Sequence, residues 1–302
     1  MQLSIIIVNF NTHDFLKNCL TSIYEHTKDL DFEVIVSDNG STDGSLEMLS
    51  SEFPQVITIA NGVNLGFGAA NNRALDIAKG KYIFYLNSDT ILLNNAPKIF
   101  FDYFEAHQNE NLGAIGANLL DKDNNVIHSY GTFAGFGLSF KQLLKMYSSN
   151  IVLSFMYIFR ISTARFVHSD KASFYTGNVD YITGADLFLK NEASARFDEL
   201  FFLYFEEADL QRQLAISGKQ RVLIDGPQIQ HLCGGSAGSD FSIKRKASFS
   251  RIQFELSRVR FLKKYNNNKI ALFFIKLLVT FIWINPFLIN STKKHIKTLW
   301  SI

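Results

Sequence analysis

With 302 residues, 47% hydrophobic and 19% charged, the chain can bury a full globular core as one large domain or two, which excludes a disordered or fibrous protein. A formal net charge of +2 is too small for a nucleic-acid binder, which needs a concentrated basic face, so any basic partner surface must be local. The two cysteines, Cys19 and Cys233, lack the spacing of a zinc knuckle or redox pair and read as free thiols of a reducing cytoplasm. Met1 and Gln2 run straight into an apolar strand without the features of a signal peptide, so the expectation is a protein kept inside the cell.

Residues 3–8 (LSIIIV) form a nearly continuous apolar run ending at Asn9, as in a parallel strand covered on both faces. Thr12 stands where it can cap the helix that follows, in which Phe15, Leu16, Cys19, Leu20 and Ile23 keep one face apolar. The rhythm repeats, with strands expected near 32–36, 56–60 and 81–86 and helices around 44–52 and 67–78. Such alternation predicts a parallel sheet flanked by helices, with ligands at the carboxyl ends of its strands. Those ends are polar: Asn9-Phe10-Asn11, then Ser37 to Gly44, then Asn61 to Asn64, then Asn87-Ser88-Asp89.

The stretch from about 133 to 167 is aromatic and aliphatic, weakly periodic, and carries Lys141, Lys145, Arg160 and Arg165; it reads as an insertion on the acceptor side. Order returns at 179–190 and through a turn and helix from Phe197 to Leu214. Strands follow near 220–224 and 228–231, and residues 251–302 look helical. Residues 270–289 are apolar for nearly a bilayer span, but Lys276 sits inside and Pro286 would disturb the final turn. A membrane span, an interfacial helix and a core helix all stay open, and the flanking lysines favour the interfacial one.

Four features carry chemistry. Asp89 closes the fourth strand, where a carboxylate can bridge an anionic ligand through Mg2+ or Mn2+; the plain alternative is an Asp capping its own turn. His231, followed by Cys233-Gly234-Gly235-Ser236, is a second metal-ligand candidate or a hydrogen-bonded structural histidine. Glu206, Glu207 and Asp209 begin a helix, where acids are favoured by the dipole alone, but one of them after the aromatic run FFLYF could serve as a general base. Gly66 and Gly68 follow a strand, with Asp89 about 20 residues further on, as in a dinucleotide fingerprint. That reading fails because Asn71 replaces the third glycine and the motif follows the third strand. A nucleoside diphosphate is already a good leaving group, so one cation and one carboxylate base are enough for a direct displacement, whereas glycoside hydrolysis uses two carboxylates.

Taken together, Val8-Asn9-Phe10-Asn11, Asp38 to Ser45, Asn64-Leu65-Gly66-Phe67-Gly68, Leu86-Asn87-Ser88-Asp89, Thr183-Gly184-Ala185, Phe197-Asp198-Glu199 and Phe205 to Leu210 resemble the family-2 glycosyltransferases of the GT-A fold, in particular their bacterial rhamnosyltransferase-like branch. The resemblance runs from about residue 3 to 238. It implies an α/β domain over 1–240, with a nucleotide-binding half at 1–118 and an acceptor-binding half at 119–240, and a helical, membrane-associated extension at 241–302. It also implies an inverting, metal-dependent transfer from a UDP- or dTDP-sugar, dTDP-rhamnose among them, to a glycan or lipid-linked acceptor at the cytoplasmic face of the cell membrane.

By the same resemblance, Asp38 accepts a hydrogen bond from the donor's base, with Asn9, Asn64, Gly66 and Arg73 also on the donor side beside Asn87, Ser88 and Asp89. Asp89 and His231 hold Mn2+ or Mg2+. Asn87 departs from the family's usual first acid of an Asp-x-Asp pair. Glu207 stands at the catalytic base position with Glu206 as alternative, and Gly184, Ala185 and Asp186 line the acceptor side. The rival readings are a nucleotidyltransferase, which would carry an Arg/Lys-bearing Gly-rich loop that Asn9 to Asp14 lacks, and a non-catalytic sugar-nucleotide-binding protein.

Overall fold

The structure, a computed structural model, describes residues 1–159, 172–232, 248–285 and 288–302. It opens in the expected alternation: β1 (Leu3–Asn9), α1 (His13–His26), β2 (Phe32–Asp38), α2 (Ser45–Glu52), β3 (Ile57–Ala60), α3 (Phe67–Leu75) and β4 (Tyr82–Asn87). The chain continues through β5 (Thr90–Leu92), α4 (Ala96–Ala106), β6 (Leu112–Ala117), β7 (Tyr130–Gly131), α5 (Phe136–Ile158), β8 (Gly177–Asn178), β9 (Tyr181–Ile182) and β10 (Asp186–Lys190). It then forms α6 (Glu206–Ile216), β11 (Gln220–Ile224), β12 (Ile229–His231), α7 (Phe249–Tyr265), α8 (Lys269–Trp283) and α9 (Ile289–Ser301). Arg160, Arg165, Cys233, Gly234, Gly235, Ser236 and Pro286 lie outside the described residues.

Two compact units divide the described chain: residues 1–133, 172–202 and 206–232 form the first, and 134–159, 203–205, 248–285 and 288–302 the second. In the first, eight strands run in the order β3-β2-β1-β4-β10-β6-β11-β8. Only β10 and β8 are antiparallel to their neighbours, so the sheet is mostly parallel. The pleat sends alternate side chains to opposite faces. Leu3, Ile5, Ile7, Tyr82, Phe84 and Leu86 join one core with α1, α2 and α4, while Ile6, Ile83 and Tyr85 join the other with α3 and α6. Both faces are covered, which is why these strands read as continuous apolar runs.

The first core is built on aromatic rings. Phe188 of β10 lies 5.3 Å from Tyr82, 5.6 Å from Phe100, 6.0 Å from Phe104 and 6.1 Å from Phe84, centroid to centroid. These contacts clamp β10 against β4 and α4, and ring pairs at such spacing add stabilisation beyond area burial. Cys19 is a buried free thiol in this unit, pushed up to about 12 by burial, against the hydrogen bond from Thr90.

The second unit is helical. Leu143 and Met146 of α5 pack with Ile252, Leu256, Val259 and Leu262 of α7, Ile275, Val279, Ile282 and Trp283 of α8, and Leu299 of α9. Residues 136–158, which the sequence reads as an acceptor-side insertion, thus form a 23-residue helix that groups with the C-terminal helices. Ser248 and Asn268 cap α7 and α8 by accepting from the N–H groups of Arg251 and Ala271. None of the described helices is long and apolar enough to cross a membrane.

Truncating Phe188 to Ala should leave a cavity amid four rings and lower unfolding free energy by about 3–5 kcal/mol, measured by urea denaturation. A loss below about 1 kcal/mol would show that the aromatic clamp collapses to fill the space.

Candidate functional site

The strand order reverses beside β1, which lies between β2 and β4, and the carboxyl ends at such a switch point are where open α/β sheets bind ligands. The ladders align Asn9 with Asp38 and Val8 with Asn87. Asn9 Nδ2 donates to Asp38 Oδ2 at 2.7 Å and to Ser41 Oγ at 3.0 Å. Asp38 Oδ1 accepts from the backbone N–H groups of Gly40 and Ser41 at 3.0 and 2.9 Å. Its side chain is thus held in one orientation and is 0% exposed, so a direct bond to a donor base needs the surrounding loop to shift. Thr12 sits at the head of α1 without capping it. Its hydroxyl donates instead to Asn9 Oδ1 at 2.6 Å and meets Ser88 Oγ at 2.9 Å, which ties the β1 and β4 ends together.

The third polar end wraps onto this network. Asn39 Nδ2 donates to Gly66 O at 3.1 Å, and Asn64 Oδ1 accepts from Gly66 N at 2.9 Å. Gly66 has φ of +89°, and a Cβ there would lie 2.3 Å from Phe202 O, so conformation and space both demand glycine. Arg73 does not join the cluster: it is exposed on α3 and lines a surface groove of about 680 Å³ with Leu65, Asn72, Asp76 and Glu199.

Asp89 and His231 are brought together by a ribbon separate from the main sheet. β5 begins immediately after Asp89, β12 ends at His231, and the antiparallel register sets Thr90 opposite His231. The Leu232 N–H donates to Asp89 O at 2.9 Å. Asp89 Oδ1 then stands 3.1 Å from His231 Nε2, and Asn87 Nδ2 stands 3.4 Å from the same nitrogen. At 3.1 Å the Asp89 and His231 side chains are in direct polar contact, and a carboxylate oxygen beside an imidazole nitrogen is also a donor set that would suit a divalent cation. No group of three or more His, Cys, Asp or Glu side chains suited to a metal occurs among the described residues.

Glu206 and Glu207 open α6, and their environments differ. Glu206 is 4% exposed, and a Cβ on Gly68 of α3 would lie 3.7 Å from its Cβ. Glu207 is half-buried and borders the turn before β10, where a Cβ on Gly184 would lie 3.5 Å from its own. The two residues ahead of them, Tyr204 and Phe205, hold φ of +68° and +71°, a conformation that aromatic residues rarely adopt and that clusters at functional sites. Nothing in the residue types signals it in advance.

Of the three residues assigned to the acceptor side, only Gly184 is accessible. Ala185 and Asp186 are buried, because Asp186 begins β10 between β4 and β6 and its Oδ2 accepts from Ala117 N at 2.7 Å. With the side chains as they stand, neither is open to an acceptor, so of the three only Gly184 faces solvent. Burial pushes the Asp186 carboxyl well above the usual carboxylate range, against the opposing effects of the Ala117 N–H and His231.

Comparison with known proteins identifies the family and the fold. The model of glycosyl transferase family 2 matches residues 4–162, more than half of the chain. A poly(ribitol-phosphate) beta-glucosyltransferase of Bacillus spizizenii is 34% identical over 115 residues, which is 36% of this chain and 18% of that protein. The chain spans less than half the length of the curated relatives it matches first. Among solved structures, a mannosyltransferase of Pyrobaculum calidifontis in complex with GDP-Man and Mn2+ has a TM-score of 0.56 at 13% identity, covering 98% of this chain and 75% of that one. GalNAc-T7 with UDP, GalNAc and Mn2+ has a TM-score of 0.61 at 12% identity, covering 100% and 56%. The fold is that of the GT-A proteins.

The raised Asp186 carboxyl fixes a sign for pH dependence. Its neutral form is the buried one, so its contribution to stability is complete below the unfolded value of about 4 and is lost as pH rises through the folded value. In chelator-treated protein, Asp186→Asn should therefore gain on the parent as pH rises above about 4, by up to about 1.4 kcal/mol per pH unit, read from urea midpoints. Parallel pH profiles would mean that Asp186 is not kept neutral.

Proposed function

We infer the activity from the premise that this chain belongs to glycosyl transferase family 2: it transfers a sugar from a nucleoside-diphosphate donor to an acceptor hydroxyl in polysaccharide synthesis. The observation that carries the reading is the Asp89–His231 pair, 3.1 Å apart at the carboxyl edge of the sheet and flanked by Asn87 and Ser88. This is where a donor's diphosphate would be met, with its nucleoside toward Asn9, Asp38, Asn64 and Gly66. Arg73, exposed on α3, would reach the donor only at its periphery. Asp89 and His231 would hold Mn2+ or Mg2+, and the bound cation would neutralise charge on the departing diphosphate.

Glu207 is the base in this reading. It takes the proton from the acceptor hydroxyl as that oxygen bonds to the anomeric carbon and the carbon–oxygen bond to the diphosphate breaks, inverting the configuration. Its partial exposure beside the Gly184 turn favours it over the buried Glu206. The donor is a UDP- or dTDP-sugar, with dTDP-rhamnose one member, and the acceptor a glycan or lipid-linked glycan. Transfer at the cytoplasmic face of the cell membrane, with residues 270–289 against the lipid, rests on analogy with enzymes that elongate lipid-linked chains.

Incubating the protein with UDP-, dTDP- and GDP-sugars plus Mn2+ or Mg2+, with and without lipid-linked acceptors, should release nucleoside diphosphate. Glu207→Gln should lower transfer by at least about 100-fold with donor affinity kept. Asp89→Asn should weaken metal-dependent donor binding by about 10- to 100-fold. Full transfer by Glu207→Gln moves the base elsewhere, and donor affinity indifferent to both chelator and Asp89→Asn removes the metal from the reading.

A further inference from the structure

Helix α5 carries large apolar side chains on both of its faces. Its buried positions, Ser139, Leu143, Met146, Asn150, Leu153 and Met156, recur every three or four residues as one helical face. Two of them are polar, and the Ser139 hydroxyl and both polar atoms of the Asn150 amide have no hydrogen-bond partner among the described residues. The outward face carries Leu138, Phe140, Leu144, Ile151, Val152 and Phe155, each 41–55% exposed. A helix facing water carries polar side chains on its outer face, and contiguous exposed apolar surface marks a place where something binds. Beside α5, α8 adds exposed Phe273, Phe274 and Phe281.

Charge selects the occupant. The described residues of the helical unit hold twelve Lys and Arg against a single acid, Glu255. Glu255 is buried and paired with Arg251 at 2.8 Å and Arg258 at 3.2 Å, so among the described residues no exposed acid side chain offsets the lysines. Residues 134–159 contain Lys141 and Lys145 and no Asp or Glu. Two such units would repel each other, which disfavours a symmetric contact between the helical units of two copies. An anionic lipid surface instead satisfies apolar side chains and cations together, and the described helices are too short or too polar to cross it.

We propose that the outer face of α5 lies in the headgroup boundary of an anionic membrane, with Lys141 and Lys145 on the lipid phosphates. This rests on the membrane contact proposed above and shifts its centre from residues 270–289 to α5. Purified full-length protein should sediment with phosphatidylcholine vesicles containing about 30% phosphatidylglycerol at least about tenfold more strongly than with neutral vesicles, and salt should weaken that binding.

Leu144→Glu with Ile151→Glu and Phe155→Glu should cut anionic-vesicle binding by at least about tenfold, with the melting temperature and donor turnover unchanged. If that variant does not fold, Lys141→Glu with Lys145→Glu, at exposed polar positions, should lower binding by at least about fivefold; unchanged binding overturns the proposal. If the α5 variant keeps full binding while Phe273→Glu with Phe274→Glu loses it, α5 is not the contact but the C-terminal one stands. A parent chain that binds no vesicle removes both. A dimer split by the α5 substitutions, with no vesicle binding, makes the face a contact between copies and also overturns the proposal.

Discussion

The parallel ladder that joins β1 to β2 and β4 is the constraint from which the candidate site follows. It fixes Asn9 opposite Asp38 and Val8 opposite Asn87, and a slip of one residue would send Asn9 to the wrong face. Burying Asn9 and Asp38 at the strand ends costs free energy unless their polar atoms are paired. The pairing is supplied across elements: Asn9 bonds Asp38 and Ser41, Asp38 takes the Gly40 and Ser41 N–H groups, and Thr12 links Asn9 to Ser88. Three polar strand ends become one rigid edge, and Asp89 is positioned from it.

That edge was legible in the sequence because each of its signals is local. Apolar runs such as residues 3–8 and 81–86 mark strands covered on both faces, and the polar residues directly after them can only fall at the carboxyl ends. Gly66 announces a backbone that no other residue adopts easily, and its φ of +89° and contact with Phe202 are the reason. The pairing of Asp89 with His231 is different in kind. It depends on a ribbon between β5 and β12, strands of three residues far apart in the chain, so residue type and a place at a strand end could mark both as ligand candidates without showing that they meet.

What the sequence hid has physical causes as well. Asp186 looks like an acceptor-side polar residue, but β10 enters the sheet antiparallel between β4 and β6, and its first side chain is swallowed. Thr12 has the type and place of a cap, yet a side-chain acceptor nearby, Asn9 Oδ1, holds its hydroxyl. Helix α5 shows weak periodicity because its outer face is as apolar as its inner one, so the hydrophobic contrast that normally reveals a helix is missing. The left-handed pair Tyr204–Phe205 left no trace in residue type at all.

The net charge of +2 conceals an opposition between the two units. The described residues of the α/β unit carry twelve Lys and Arg against twenty-five Asp and Glu, while the helical unit carries twelve against one. A nucleoside diphosphate approaching so acidic a unit would meet a repulsive field, and in the reading proposed above a divalent cation at Asp89 and His231 would reverse its sign. The helical unit needs no such intermediary toward an anionic surface, since its own lysines supply the attraction. A metal at the donor side and salt-sensitive binding at a lipid surface, both as proposed above, would follow from one segregated charge distribution that a sum over the whole chain conceals.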